Sequence, residues 1–171
     1  MSEPYQIFVF AKEDMAPDAM ISTVDEVMRA GGGVIDEDCL LTLADTQDQE
    51  ADPEPIEDAS EALARLRAWP TLGTISYSMP ESVINVTFRM REDEDRAHFC
   101  KVSILQSAFE AGGEEVKARY AKIAGELFER LRATRVIFDW GLEYKGIEWQ
   151  VELARLQRGD IQGTFDVDLR R

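Results

Sequence analysis

The sequence predicts an α+β fold: an antiparallel sheet, or sheets, of about seven to eight strands covered on one face by about three helices. Three observations carry this. Short apolar runs alternate with polar residues at a period of two, which is the strand signature. Three other stretches place apolar residues three and four apart, as one face of a helix requires. The 171 residues, 44% apolar and 31% charged, suit one domain over 1–171 that buries its own core.

Residues 5–11, YQIFVFA, run apolar without a break and predict a strand buried on both faces. Past Pro17, the residues Met20, Ile21, Val24, Val27 and Met28 recur at helical spacing, with Asp18 as N-cap and Gly31-Gly32-Gly33 as the stop. That triple glycine follows a helix and has no Lys-Ser/Thr pair beside it, so it is not a phosphate loop. A strand over about 34–43 sets Cys39, Leu41 and Leu43 on one face. It runs into an acidic loop at 45–58, DTQDQEADPEPIED, with seven acids, two prolines and no base. Asp48, Glu50, Asp52 and Glu54 alternate there, but the turn glycine and closing glutamate of a calcium loop are missing.

A helix over about 57–69 carries Ala59, Leu63 and Leu66 and ends at Pro70. Two strands then form a hairpin in which Met79 faces Ile84, Tyr77 faces Val86 and Ile75 faces Phe88. Ser78 with Asn85, Ser76 with Thr87 and Thr74 with Arg89 fill the other side. A third strand turns Cys100, Val102 and Ile104 inward. His98 stands two residues before Cys100 and so shares its face, but no orienting acid completes a Cys–His dyad. The helix over about 114–132 is the clearest element, with Val116, Tyr120, Ile123, Ala124, Leu127, Phe128 and Leu131 in one stripe. Glu115–Arg119 and Glu126–Arg130 are spaced for pairing along its surface.

The stretch VIFDWGLEYKGIEWQVEL, residues 136–153, predicts a second hairpin. Val136, Phe138, Trp140 and Leu142 face Trp149, Val151 and Leu153 on the core side. The register then sets Glu143 against Glu148 and Asp139 against Glu152, four carboxylates on one hydrated face. A further strand at about 163–169 alternates Phe165, Val167 and Leu169 with Asp166 and Asp168.

Charge is the most informative property. The net charge is −15, and residues 1–60 hold 16 acids against Lys12 and Arg29, while the remainder is close to neutral. Nucleic-acid binding needs a basic footprint and is not expected. The two cysteines share no ligand spacing and a single histidine rules against His-rich zinc chemistry, so no metal or cofactor is expected. The N-terminal stretch lacks a signal-peptide pattern and no run is long enough to cross a bilayer, which predicts a cytoplasmic protein without membrane contact.

The function expected is non-enzymatic: an acidic cytosolic binding protein that docks a basic protein partner, as an inhibitor or immunity-type protein or a chaperone-like adaptor would. The partner-binding candidates are Asp139, Glu143, Glu148 and Glu152 on the hairpin and Asp48, Glu50, Asp52 and Glu54 in the loop. The alternative is a small hydrolase using the carboxylates of the 139–152 hairpin.

Overall fold

A computed structural model describes residues 4–44, 51–69, 71–91, 95–142 and 165–171. In chain order these form β1 (Tyr5–Phe10), α1 (Pro17–Ala30), β2 (Leu40–Ala44), β3 (Glu54–Pro55), α2 (Ala59–Ala68), β4 (Leu72–Ser78) and β5 (Val83–Arg91). Then follow β6 (Arg96–Ile104), α3 (Gln106–Leu131), β7 (Arg135–Trp140) and β8 (Val167–Arg170). The eight strands make one sheet in the order β3-β2-β4-β5-β6-β1-β7-β8, with every neighbouring pair antiparallel. The α+β class, with three helices and one antiparallel sheet among the described residues, is as the sequence predicts; β3, inside the stretch expected to be loop, was not foreseen, and the strand expected over 147–153 lies outside the described residues.

The helices lie on one face of that sheet. Ile7 and Val9 of β1, Ile75 and Tyr77 of β4, Val86 and Phe88 of β5, and Cys100, Val102 and Ile104 of β6 meet the apolar stripes of α1, α2 and α3 in one core. All seven stripe residues foreseen for α3 are buried. The unbroken apolar run of β1 has a direct cause: it lies inside the sheet between β6 and β7, and its alternate residues Phe8 and Phe10 enter a second cluster with Phe99, Ile137 and Leu142.

That second cluster corrects the expectation of an open, hydrated second face along β7. Ile137 is fully buried and Asp139 is 7% exposed. Leu142 was expected beside Val136 and Phe138, yet it packs with the opposite cluster. Gly141 takes φ +57, a left-handed conformation, and the alternation ends there.

The β4–β5 hairpin keeps its expected faces but slides by two residues. Tyr77 faces Ile84, Ile75 faces Val86, and Ser76 faces Asn85. A slip of two leaves every side chain on its own side, so alternation cannot detect it; the turn decides, closed by the Met79 N–H donating to the Ser82 carbonyl at 2.9 Å. His98 is displaced by a β-bulge. Arg89 pairs with Phe99 and Met90 with Ala97, which makes His98 the extra residue and places Ala97, rather than His98, with Cys100 on the helical side. The Cys–His face therefore does not form, and burial pushes the Cys100 thiol upward in pKa.

At its ends α1 differs from expectation in detail. Ala16 is the N-cap, Pro17 opens the helix, and Asp18 stands in the first turn. The glycine stop forms as expected, with the Gly33 N–H donating to the Met28 carbonyl at 2.9 Å and Gly32 at φ +98. α3 begins earlier than expected, with about two turns ahead of Gly113 (φ 63, ψ −150), which separates them from the long stripe. That early segment brings Phe109 onto Tyr5, ring centroids 3.8 Å apart, over the end of β1.

The foreseen pairs along α3 give way to tertiary ones. Arg119 binds Glu81 in the β4–β5 turn and Arg130 binds Glu26 of α1. The fully buried Tyr120 donates its hydroxyl to the same Glu81. Tyr120→Phe removes that donor and is expected to cost about 1–2 kcal/mol, readable as a lower urea midpoint with unchanged slope.

Candidate functional site

Part of the acidic first third lies along the β2–β3 edge, whereas Asp25 and Glu26 sit on α1, paired with Arg29 and Arg130. The α1–β2 connection carries Asp36, Glu37 and Asp38 up to β2, and β3 lies antiparallel beside it with Leu40 opposite Pro55 and Leu41 opposite Glu54. The Ile56 N–H donates to the Cys39 carbonyl at 3.3 Å, which ties the stretch after β3 to the end of that connection. α2 then starts at once, and Asp58 caps it by accepting the Glu61 backbone N–H at 3.1 Å.

The result is a shallow groove of about 140 Å³ lined by Leu41, Ile56, Glu57, Asp58, Glu61 and Arg65. Arg65 reaches Glu54 at 2.8 Å, an exposed pair of small energetic weight. Asp52, Glu54 and Glu57 are all exposed. Pro53 and Pro55 break the edge as a template for another strand, because proline offers no N–H.

Asp36 is more constrained. Its Oδ1 accepts the Ser78 hydroxyl at 2.8 Å and the Asp38 N–H at 3.0 Å. The Ser78 hydroxyl first, with the Asp38 N–H, holds its carboxyl below the usual carboxylate range. This acid stays ionised across the physiological range and fixes the loop to the end of β4.

The structure separates the two candidate groups. Asp52 and Glu54 belong to the acidic edge. Asp139 stands on β7, six strands from β3, at about 29 Å for a spacing near 4.8 Å per strand. That exceeds the Debye length of about 8 Å at physiological salt, so the two groups do not act as one charge patch. Asp139 is also turned inward: it sits opposite Gln6 in the register, and its Oδ1 accepts the Trp140 backbone N–H at 2.7 Å. Its buried carboxylate gives no support to a solvent-open hydrolase centre. Asp48, Glu50, Glu143, Glu148 and Glu152 lie outside the described residues.

Asp168, foreseen as one more acid of the hairpin face, is instead a partner of Arg135. The guanidinium donates through Nε to Oδ1 and through Nη2 to Oδ2, both at 3.0 Å, and Arg170 adds two longer bonds to the same oxygens, at 3.4 and 3.2 Å. Burial alone would raise this carboxyl, yet the hydrogen bonds of Arg135 and Arg170 bring it below its ordinary value.

Sequence reasoning named Asp52 and Glu54 but passed over Glu57, Asp58 and Glu61 as site residues. The base-free run through residue 58 was the available signal; what it lacked was the turn of α2 back against β2. Among the described residues no group of three or more His, Cys, Asp or Glu side chains is arranged to hold a metal ion, and no helix is long and apolar enough to cross a membrane. Cys39 and Cys100 are separate buried thiols.

No protein-family model matches the chain, and no curated protein does. Among solved structures it is similar to the Pseudomonas aeruginosa T6SS protein PA0821, with a TM-score of 0.48 and 9% identity over 80% of this chain. The chain spans 40% of that protein's length.

Proposed function

We propose that this protein is a non-enzymatic binding protein whose acidic β2–β3 edge docks a basic protein partner. The observation that carries the reading is the concentration of charge: residues 1–60 hold 16 acids and two bases, and the acids at 36–38 and 52–61 meet along one sheet edge and the start of one helix. Like charges gathered at short range repel, and a cationic surface turns that repulsion into attraction. Such a surface chiefly accelerates encounter and selects the sign of the partner, with an effect that weakens as salt rises.

The test is capture of partners from the native host's lysate on the immobilised protein at low and moderate salt. Wild type is expected to retain a basic protein that elutes as salt rises. Replacing Glu57 and Glu61 by lysine is expected to lower that capture at least about fivefold at low salt. Asp58 is left in place because it caps α2, whose retained helical signal shows that the variant is folded. Equal capture by the variant removes the α2 end of the edge from the interface.

A further inference from the structure

Beside the acidic loop lies a feature that charge alone does not explain. The large apolar side chains left exposed among the described residues are Val34 at 49%, Leu40 at 39%, Val83 at 38% and Leu105 at 58%. Single exposed apolar residues are ordinary, but Val34, Leu40 and Val83 share one side of the sheet or its margin, and Leu105 follows directly on the end of β6. Val34 forms an antiparallel bridge with Ser78, and Ser78 stands opposite Val83, so the two valines flank one serine in a row across three chain segments. The neighbours Tyr77, Met79 and Ile84 belong to the helical core, which places this row on the opposite side.

Leu40 lies on the same side one pleat away, in the row of Ser76, and Leu105 follows the end of β6. Leu40 alternates with Leu41, which is buried on the helical side opposite Ile75. Leu105 follows the buried Ile104 in extended backbone (φ −59, ψ 132). The apolar cluster of Phe8, Phe10, Phe99, Ile137 and Leu142 on the same side of the sheet is buried, whereas this end is open. Asp36 rims it, joined to the row by the bond from the Ser78 hydroxyl, and the exposed Glu37 and Asp38 follow it in the chain.

We infer that the Val34–Ser78–Val83 row, with Leu40 and Leu105 beside it, is the apolar seat of the interface, and that its occupant is a segment of a basic protein with alternating apolar and cationic side chains. The apolar side chains of that segment cover the row, and its lysines or arginines reach Asp36, Glu37 and Asp38. Charge complementarity selects this occupant: a second copy docked through the same patch would set its own Asp36, Glu37 and Asp38 against these three acids. The inference rests on the basic-partner reading and adds to it a site and a second recognition element.

The experiment is an NMR titration of the ¹⁵N-labelled full chain with two amidated eight-residue peptides of equal charge, one alternating leucine with lysine, the other serine with lysine. The leucine peptide is expected to shift the amides of Val34, Ser78 and Val83 and to bind at least about tenfold more tightly than the serine peptide. Val34→Thr with Val83→Thr, which keeps β-branching at both positions, is expected to abolish that difference. Equal affinities, with shifts centred on Glu57 and Glu61, overturn the apolar seat and leave the basic-partner reading standing. Binding of the leucine peptide away from Val34 and Val83 also overturns the seat. If neither peptide binds at low salt, both readings fall.

Discussion

Replacing Phe99 with alanine is expected to lower the free energy of unfolding by about 3–5 kcal/mol, the usual cost of deleting a buried aromatic side chain. Phe99 is fully buried on the side of the sheet away from the helices. Its ring meets Phe8 edge-on at 5.3 Å and Phe10 in a tilted contact at 5.5 Å, so truncation removes two aromatic contacts along with the buried area. Urea or guanidinium unfolding at neutral pH measures the loss. On a hydrated face the same replacement would change stability by only about 0.5 kcal/mol, so a small value would mean that this side of the sheet is open. Phe99→Leu, which refills most of the volume, is expected to recover more than half of the loss.

Arg135→Met is expected to destabilise the fold by about 3 kcal/mol, through the partner it abandons more than through the bonds it makes. The Arg135 side chain is 2% exposed and that of Asp168 20%. Methionine fills much of the space but leaves the Asp168 carboxylate with only Arg170, whose side chain is 52% exposed. Asp168→Asn in the Arg135→Met background removes the stranded charge and is expected to restore a good part of the loss, the coupling that a double-mutant cycle reads. The sign of the pH dependence follows from the lowered Asp168 carboxyl. A carboxyl depressed in the folded state contributes stability at pH above its unfolded value near 4 and loses it as pH falls through the folded value. Wild type therefore loses this contribution on the acid side, and Asp168→Asn is expected to show a shallower acid limb in thermal melts between about pH 5 and 2.

The elements whose own pattern determines them were legible in the sequence. The stripe of α3, the glycine stop of α1, the inward set of β6 and the unbroken run of β1 each encode a face or an end by local periodicity, and each is where the pattern puts it. So was the acidic character of the edge, since charge is a sum over residues. The helix ahead of Gly113 was not legible, because its anchor Phe109 acquires meaning only when Tyr5 of β1, a hundred residues earlier, comes to stack on it.

Tertiary structure decided the rest. A hairpin slip of two residues preserves every face, so the β4–β5 register waited on the Met79–Ser82 turn and the Val34 bridge. One extra residue at His98 reverses what alternation predicts for everything on one side of it. Ionic partners were exchanged for the same reason: Arg119, Arg130 and Asp168 are drawn to Glu81, Glu26 and Arg135, residues brought near by packing and distant along the chain. For the candidate site, strand order was decisive. By inserting β1 between β6 and β7 the fold sets Asp139 six strands from Glu54 on the edge strand and buries it, while setting Glu54 beside β2 and starting α2 directly after Glu57. Sequence determines faces because side-chain direction is local; which faces and charges become neighbours is a property of the order of strands, which no local period records.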